Sequence, residues 1–179
     1  MTESAPSASE AIPDLATSTG QTLTELSQNQ LLLVVFLRHA GCTFCRQALS
    51  DLHKIEDQLA EERARLVVVS MSSEEDMLET LKQYKLTDAI AMSDPEKLLY
   101  QHFQFSSGGM PELMSPKVMW LGMKACIFEG HGVGKREGDI RQMPGVIVMK
   151  NGEVLNRYEH KTAADRPNYL KLVQEARTT

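Results

Sequence analysis

The chain has 179 residues with a net charge of −5, and 42% hydrophobic against 24% charged residues indicate a globular domain rather than a disordered one. Four acidic residues and no lysine or arginine lie within residues 1–30, so the rest of the chain is close to −1. Without a basic surface the chain is not expected to bind nucleic acid. The longest apolar run, at residues 31–37, has seven residues, whereas a membrane-spanning helix needs about 20.

The amino-terminal segment differs in composition from the remainder. Residues 1–29 are rich in Ser and Thr and poor in large apolar groups, which predicts a flexible acidic arm before a domain at residues 30–179. Leu23 and Leu26 are the residues of this arm that could dock on the domain. No basic stretch followed by an apolar one is present at this end, so we expect no secretory signal and a cytoplasmic location.

The first half of the domain has the order strand, helix, strand, helix. Residues 31–37 form a continuous apolar run, typical of a strand buried on both faces of a parallel sheet. One helix with a buried face is predicted from residues spaced three or four apart: Cys45, Leu49, Leu52, Ile55 and Leu59. Residues 65–70 form a second buried strand, and Ser72 with Glu75 forms a capping box before the next helix.

The second half ends in a hairpin and a helix. A short strand is predicted at residues 89–92, and Asp94-Pro95 caps the helix that follows. A helix at 117–126 and a glycine-rich loop at 129–139 come next, and Asn151-Gly152 turns a hairpin. Asp165 caps the last helix. The order predicts an α/β thioredoxin-like fold, a central mixed sheet flanked by helices, with an insertion between the second βα unit and the hairpin.

Cys42 and Cys45 lie where the first strand turns into a helix. A helix amino terminus stabilises a thiolate, whereas an ordinary thiol with a pKa of ~8.5 is only ~3% ionised at pH 7. Arg38 and Arg46 flank the pair and favour the thiolate further. Because Cys45 shares a helix face with Leu49, we expect Cys45 to be buried and Cys42 to be exposed. The pair therefore indicates thiol redox chemistry.

Two other functions remain open for these residues. His39, Cys42 and Cys45 are three soft ligands within seven residues, so the chain could be a copper or zinc carrier. A binding module that retains the fold without redox chemistry is the other alternative. Gly130–Arg136 lacks the spacing of a phosphate-binding loop, and no cofactor is expected.

The segment from Phe36 to Leu49, with its arginine-flanked CxxC, resembles the peroxiredoxin-like branch of the AhpC/TSA family, which includes selenoprotein L and selenoprotein U type proteins. Ser93-Asp94-Pro95-Glu96, Leu99-Tyr100 and the segment 142–148 are also similar to this family. The resemblance implies a thioredoxin fold, a redox-active cysteine pair and a cis-proline at Pro144 facing that pair.

The sequence also suggests further site residues, a substrate class and a reductant. Thr43 stands inside the motif where thioredoxin has Gly, and Arg141, three residues before Pro144, could approach the thiolate. The peroxiredoxin register suggests Cys45 as the attacking thiol and the exposure argument suggests Cys42, which we favour. The expected substrate is a hydroperoxide or disulfide, and the expected reductant is thioredoxin, glutaredoxin or glutathione. Cys126 is expected to be a buried bystander or a resolving cysteine.

Overall fold

The computed structural model describes residues 11–38, 42–106, 141–162 and 164–178. The strands are β1 (Leu31–Phe36), β2 (Ala64–Ser70), β3 (Ile90–Ser93), β4 (Gly145–Lys150) and β5 (Glu153–Glu159). The helices in these residues are α1 (Leu23–Asn29), α2 (Thr43–Lys54), α3 (Glu56–Glu61), α4 (Glu74–Gln83), α5 (Leu98–His102) and α6 (Tyr169–Ala176).

The five strands form one mixed sheet in the order β3-β2-β1-β4-β5. The first three are parallel to one another, while β4 is antiparallel to both β1 and β5. Phe36 at the end of β1 pairs with Val69 on one side and with Gly145 on the other. The ends of β1, β2, β3 and β5 therefore meet the start of β4 at one edge of the sheet, called here the carboxyl edge. The predicted α/β architecture with a central mixed sheet is confirmed.

A separate apolar core covers each face of the sheet. Alternate residues of β1 point to opposite faces, as strand geometry requires, and all six are buried. The face called here the α2 face packs Cys42, Cys45, Leu49, Leu52, Met77, Leu81, Tyr169 and Val173. The face called here the α5 face packs Leu23, Leu26, Leu99, Tyr100, Phe103 and Phe105. Strand β1, buried on both faces, is consequently apolar along its whole length.

Several observed helix boundaries differ by a few residues from those that the sequence predicts. The predicted long helix is broken at Ile55, whose ψ of 7° ends α2 before α3 begins. The cap of α4 is Ser73, which accepts a hydrogen bond from Asp76 N, rather than Ser72. Asn168 rather than Asp165 caps α6. Caps compete over one to three residues, and the packing of the helix decides which one is used.

Asp94 lies four residues before the first residue of α5, further along the chain than an ordinary N-cap. Its carboxylate accepts hydrogen bonds from Leu98 N at 2.8 Å and from Leu99 N at 2.9 Å, and the helix begins only at Leu98. Pro95 is therefore not the first helical residue that the sequence predicts. The buried carboxylate satisfies two amide donors at the start of α5.

The predicted hairpin turn at Asn151-Gly152 is present between β4 and β5. Asn151 and Gly152 have φ values of 53° and 79°, the left-handed conformations that a tight hairpin turn requires. Gly152 N donates a hydrogen bond to Ser27 Oγ at 2.9 Å. The turn is thereby joined to α1.

The amino-terminal segment is packed rather than flexible from residue 11 to residue 29. Leu23 and Leu26 of α1 are buried in the core of the α5 face. Ser18 N donates to Ala91 O at 2.8 Å, and a capping box between Thr22 and Glu25 begins α1. The prediction of a loose arm is wrong for these residues, and the alternative that Leu23 and Leu26 dock on the domain is the one observed. Two leucines at helical spacing supply enough apolar surface to fix a short helix.

The predicted insertion lies largely outside the described residues, as do the helix at 117–126 and the glycine-rich loop at 129–139. Within the part of the chain that the structure describes, no helix is long and apolar enough to cross a membrane.

Candidate redox site at the carboxyl edge of the sheet

Arg38 joins the two cysteines at the carboxyl edge. The Arg38 backbone N–H donates to Cys45 Sγ at 3.3 Å, and its guanidinium Nη2 donates to Cys42 Sγ at 3.0 Å. The sulfurs are not joined in a disulfide. The charged guanidinium of Arg38 therefore acts on both sulfurs, and its backbone amide adds a neutral donor to Cys45.

The guanidinium of Arg38 is buried, with 8% of the residue exposed. Burial by itself would lower the pKa of Arg38, but the charges of Cys42 and Cys45 and the hydrogen bonds to them raise it above its ordinary value. The cation is therefore maintained at every physiological pH. Since electrostatic coupling is reciprocal, the same charge favours the thiolate forms of the sulfurs.

The start of α2 places the pair. Cys42 is the N-cap residue, and Cys45 lies one turn into the helix on the buried face with Leu49. Helix α2 has 12 residues, so the positive end of its dipole lies at the sulfurs. The expectation that Cys42 is exposed is wrong, because 6% of it is accessible against 2% of Cys45. Arg38 and the core of the α2 face cover both sulfurs.

Tyr100 supports the site from the opposite face of the sheet. The residue is fully buried, and its hydroxyl donates to the carbonyl oxygen of Leu37 and lies 3.3 Å from that of Val69. Burial, followed by the negative charges of Cys45 and Asp94, raises the pKa of Tyr100 well above its ordinary value. The phenol therefore stays protonated and remains a donor.

His160 follows β5 at the same edge and is 8% exposed. Burial lowers its pKa to about 4, although Asp165 and a hydrogen bond to the backbone of Pro144 act in the opposite direction. Its Nδ1 makes no hydrogen bond within the described part of the chain. The ring is thus a neutral, buried imidazole that contacts the segment before β4.

Pro144 directly precedes β4, but the peptide bond before it differs from the one that the resemblance implies. It is buried and precedes Gly145, so by the register of β4 it lies beside Leu37 at the end of β1. All peptide bonds of the described residues are trans, so the expected cis bond before Pro144 is wrong. A trans bond is the lower-energy form before proline in the absence of a specific constraint.

The structure also describes the three remaining candidate residues, Thr43, Arg46 and Arg141. Thr43 begins α2 and is half-buried, and Arg46 N donates to Cys42 O at 2.9 Å. The charge of Arg46 acts on Tyr84 of α4, where it opposes the rise in pKa that burial causes. Arg141 is exposed, and the arginine that the structure places on the sulfurs is Arg38.

The metal-carrier alternative gains no support. Three or more His, Cys, Asp or Glu side chains do not come together as a metal site anywhere in the described residues. His39 and Cys126 lie outside those residues, so their positions relative to the pair are not described.

Sequence reasoning assigned no role in the site to Tyr100 or His160, although Leu99-Tyr100 was among the segments similar to the family. A tyrosine that follows two leucines and precedes Phe103 by three residues needs a partner for its hydroxyl when it is buried, which was the available signal for Tyr100. His160 had a weaker signal, its position directly after the second hairpin strand. The partner of Tyr100 could not be named from the sequence, because Leu37 is 63 residues away along the chain.

A mixed sheet with a CxxC pair at the start of the helix after β1 defines a protein of the thioredoxin-fold, peroxiredoxin-like class. A solved structure of a peroxiredoxin 6 variant from Arenicola marina has a TM-score of 0.67 over 94% of this chain and 70% of that one, at 9% identity. A model of the AhpC/TSA family matches residues 4–115. The chain belongs to the AhpC/TSA family, a family of thiol-dependent oxidoreductases.

Two curated proteins are similar over most of the chain. Prostamide/prostaglandin F synthase of Danio rerio is 29% identical over 160 residues, which cover 84% of this chain and 77% of that protein. Peroxiredoxin-like 2C of Bos taurus is 26% identical over 158 residues, covering 76% of this chain and 66% of that protein. Membership of the selenoprotein-type branch stays a prediction.

Proposed function

We propose that the chain is a thiol-dependent reductase of hydroperoxides or disulfides that cycles through a Cys42–Cys45 disulfide. The observation that carries this proposal is the position of Arg38, which donates to both sulfurs from one residue. A buried cation on two adjacent sulfurs has a chemical purpose when at least one of them is a thiolate.

We assign Cys42 as the attacking thiol. It is the N-cap residue at the positive end of α2, and it accepts the hydrogen bond from Arg38 Nη2 at 3.0 Å. Cys42 is also the slightly more accessible of the two. Cys45 is then the resolving thiol, one helical turn away.

The reaction with a hydroperoxide proceeds in two steps on the protein. The Cys42 thiolate attacks the terminal peroxide oxygen, the O–O bond breaks, and the alkoxide leaves as an alcohol after it takes a proton from solvent. Cys42 is then a sulfenic acid. Cys45 attacks the Cys42 sulfur, an S–S bond forms, and the hydroxyl leaves as water with the proton of the Cys45 thiol.

The reductant completes the cycle by thiol–disulfide exchange. A thioredoxin, glutaredoxin or glutathione-type thiol attacks the Cys42–Cys45 disulfide and returns two electrons and two protons. With a disulfide substrate, Cys42 forms a mixed disulfide that Cys45 resolves in the same way. Such a cycle suits a reducing compartment, and we therefore place the protein in the cytoplasm.

The identity of the peroxide is a separate part of the proposal. The zebrafish relative is named as a synthase of prostamide and prostaglandin F, and it matches 84% of this chain. Lipid peroxides of the prostaglandin type therefore belong in the substrate panel beside hydrogen peroxide and a small alkyl hydroperoxide. The attack on an O–O bond is chemically the same in each case.

Turnover of this panel and of a small disulfide, with thioredoxin or glutathione and the matching reductase, tests the function. Wild type is expected to turn over, and Cys42→Ser/Cys45→Ser is expected to lose activity by at least a hundredfold. Ser27→Ala, which removes a buried hydroxyl at the opposite edge, is the control and should retain activity. A double variant with undiminished turnover would contradict the proposal.

A further inference from the structure

The Tyr100 hydroxyl and the Cys45 sulfur contact opposite ends of one peptide group. Tyr100 donates to the carbonyl oxygen of Leu37, and the N–H of the same peptide, which belongs to Arg38, donates to Cys45 Sγ at 3.3 Å. The phenol lies on the α5 face and the sulfur on the α2 face. The peptide therefore connects the two faces of the sheet at its carboxyl edge.

We propose that Tyr100 is a positioning residue that, through the Leu37–Arg38 peptide, directs an amide donor at Cys45 and favours its thiolate. A hydrogen bond to an amide carbonyl polarises the amide and makes its N–H a stronger donor. This inference rests on the proposed function and deepens it, since it assigns the residue that prepares the resolving thiol.

The backbone around this peptide is held on both sides. Leu37 N donates to Val69 O at 2.8 Å, and Met71 N donates to Arg38 O at 3.2 Å. Strand β2 therefore fixes the direction of the chain beyond the last paired residue of β1. The Leu37 carbonyl then points to the α5 face, where the phenol meets it.

The phenol is itself fixed by packing and by the start of α5. Its ring packs edge-to-face against Phe36, with ring centroids 5.2 Å apart. Asp94 holds the first turn of α5 through Leu98 N and Leu99 N. The hydroxyl is consequently the part of Tyr100 that can be removed with the least disturbance of the core.

Several charged or titratable groups act on Cys45. Arg38 follows β1, Tyr100 lies on α5, and Tyr169 begins α6. Burial raises the pKa of Tyr169 and that of Tyr100, so neither phenol ionises in the range where a thiol titrates. Cys42 can change charge in that range, so both cysteines must be followed separately.

The test is a comparison of Tyr100→Phe with Ser27→Ala. Both variants lose one buried hydroxyl, but Ser27 lies at the opposite edge of the sheet, where it contacts Gly152 and Thr24. Iodoacetamide alkylation is followed from pH 5 to pH 10. Both cysteines lie on the tryptic peptide of residues 39–46, so fragmentation by mass spectrometry assigns the modification to Cys42 or to Cys45.

In Tyr100→Phe we expect the titration of Cys45 to move to higher pH, with about threefold slower alkylation on its rising limb. Cys42 should move less, because the amide of the Leu37–Arg38 peptide donates to Cys45. Ser27→Ala should leave both titrations unchanged. An unchanged Cys45 titration in folded Tyr100→Phe, or an equal shift of both cysteines, would overturn the inference.

A second variant covers the case in which Tyr100→Phe does not fold. A fluorinated tyrosine at position 100 keeps the ring and the hydroxyl but makes the hydroxyl a stronger donor. It should move the Cys45 titration in the opposite direction, to lower pH. A fluorinated protein with the wild-type titration would contradict the inference.

The alkylation measurement is independent of turnover. If wild type reduces neither peroxide nor disulfide while Tyr100→Phe shifts Cys45, the proposed function fails and the positioning role stands. If turnover depends on the cysteine pair while Cys45 does not shift, the positioning role alone fails.

Discussion

The polar groups at the two edges of the sheet differ in burial and in what they contact. At the carboxyl edge Arg38, Tyr100 and His160 are all buried, and the first two direct donors at the sulfurs or at the peptide beside them. At the amino edge, where β1 and β2 begin, Arg177 pairs with Glu62 at the surface. A cavity of about 290 Å³ opens there, lined in part by Glu56, Arg63 and Asp88.

This difference has a consequence for mutations. Polar groups at the amino edge close turns or meet solvent, so their loss should change stability alone. Polar groups at the carboxyl edge act on a reactive sulfur or on the chain that surrounds it, so their loss should also change thiol reactivity or its dependence on pH. The predictions below test this contrast.

The largest expected effect is on the pH dependence of stability through His160. The folded state holds its pKa at about 4, whereas an unfolded histidine has 6.5, so the unfolded state binds more protons between these values. Stability should therefore fall as the pH drops from about 6.5 to about 4, by about 3 kcal/mol in total. Urea unfolding at several pH values measures the loss.

Matched variants isolate that contribution from the titration of carboxylates. His160→Gln should flatten the pH dependence over this window. His53→Gln should leave it unchanged, because the His53 side chain is 44% exposed. An equal effect of the two substitutions would contradict the assignment to His160.

Gly145→Ala should destabilise the fold by about 2 kcal/mol. A Cβ at Gly145 would overlap the Phe105 ring, which packs against Phe36 with centroids 4.7 Å apart. Denaturant unfolding measures the loss, and Phe105→Leu should recover part of it when combined with Gly145→Ala. Gly152→Asn at the hairpin turn is the control, since asparagine tolerates its φ of 79°. A loss no greater than that of the control would contradict the close approach.

Arg38→Met should slow alkylation of Cys42 at pH 7 about tenfold, equivalent to about 1.4 kcal/mol. The substitution removes the charged donor at 3.0 Å while keeping a buried apolar stem. The rate of iodoacetamide modification of Cys42, assigned by peptide fragmentation, measures the effect. Arg177→Met at the amino edge is the matched control, and equal slowing in both variants would contradict a local role for Arg38.

The smallest expected effect is the stability change in Arg177→Met itself. Its exposed ion pair with Glu62, at 2.9 Å, should contribute about 0.5 kcal/mol or less. Urea unfolding at low and high salt measures it, and the loss should shrink at high salt. A loss comparable to that of Gly145→Ala would remove the contrast between the two edges.

Local patterns predicted the elements on which the site is built. The apolar run of β1, the hairpin at Asn151-Gly152 and the cysteines at the start of α2 each depend on neighbouring residues alone. Ile55 shows where such patterns stop, because its apolar character continued the helical spacing while its backbone ended α2. Burial of Cys42 was likewise not predictable, since Arg38 and the core cover it only in the folded chain.

The contacts of Tyr100 and His160 require the sheet register. Tyr100 reaches Leu37 across the end of β1, and His160 reaches Pro144 because β5 is antiparallel to β4. In the sequence, Tyr100 is one residue of a predicted helix and His160 follows a predicted strand, and nothing nearby indicates their contacts. Their roles follow from strand order, which the sequence pattern predicted only as a class of fold.

A redox titration of the Cys42/Cys45 pair tests the central claim most directly. The protein is equilibrated in dithiothreitol and glutathione buffers of graded potential, and mass-shift alkylation with peptide mapping separates the pair from Cys126. We expect one two-electron transition between about −300 and −120 mV, in which both sulfurs are protected together. Two cysteines that stay alkylatable at every potential would contradict a cycle through a Cys42–Cys45 disulfide.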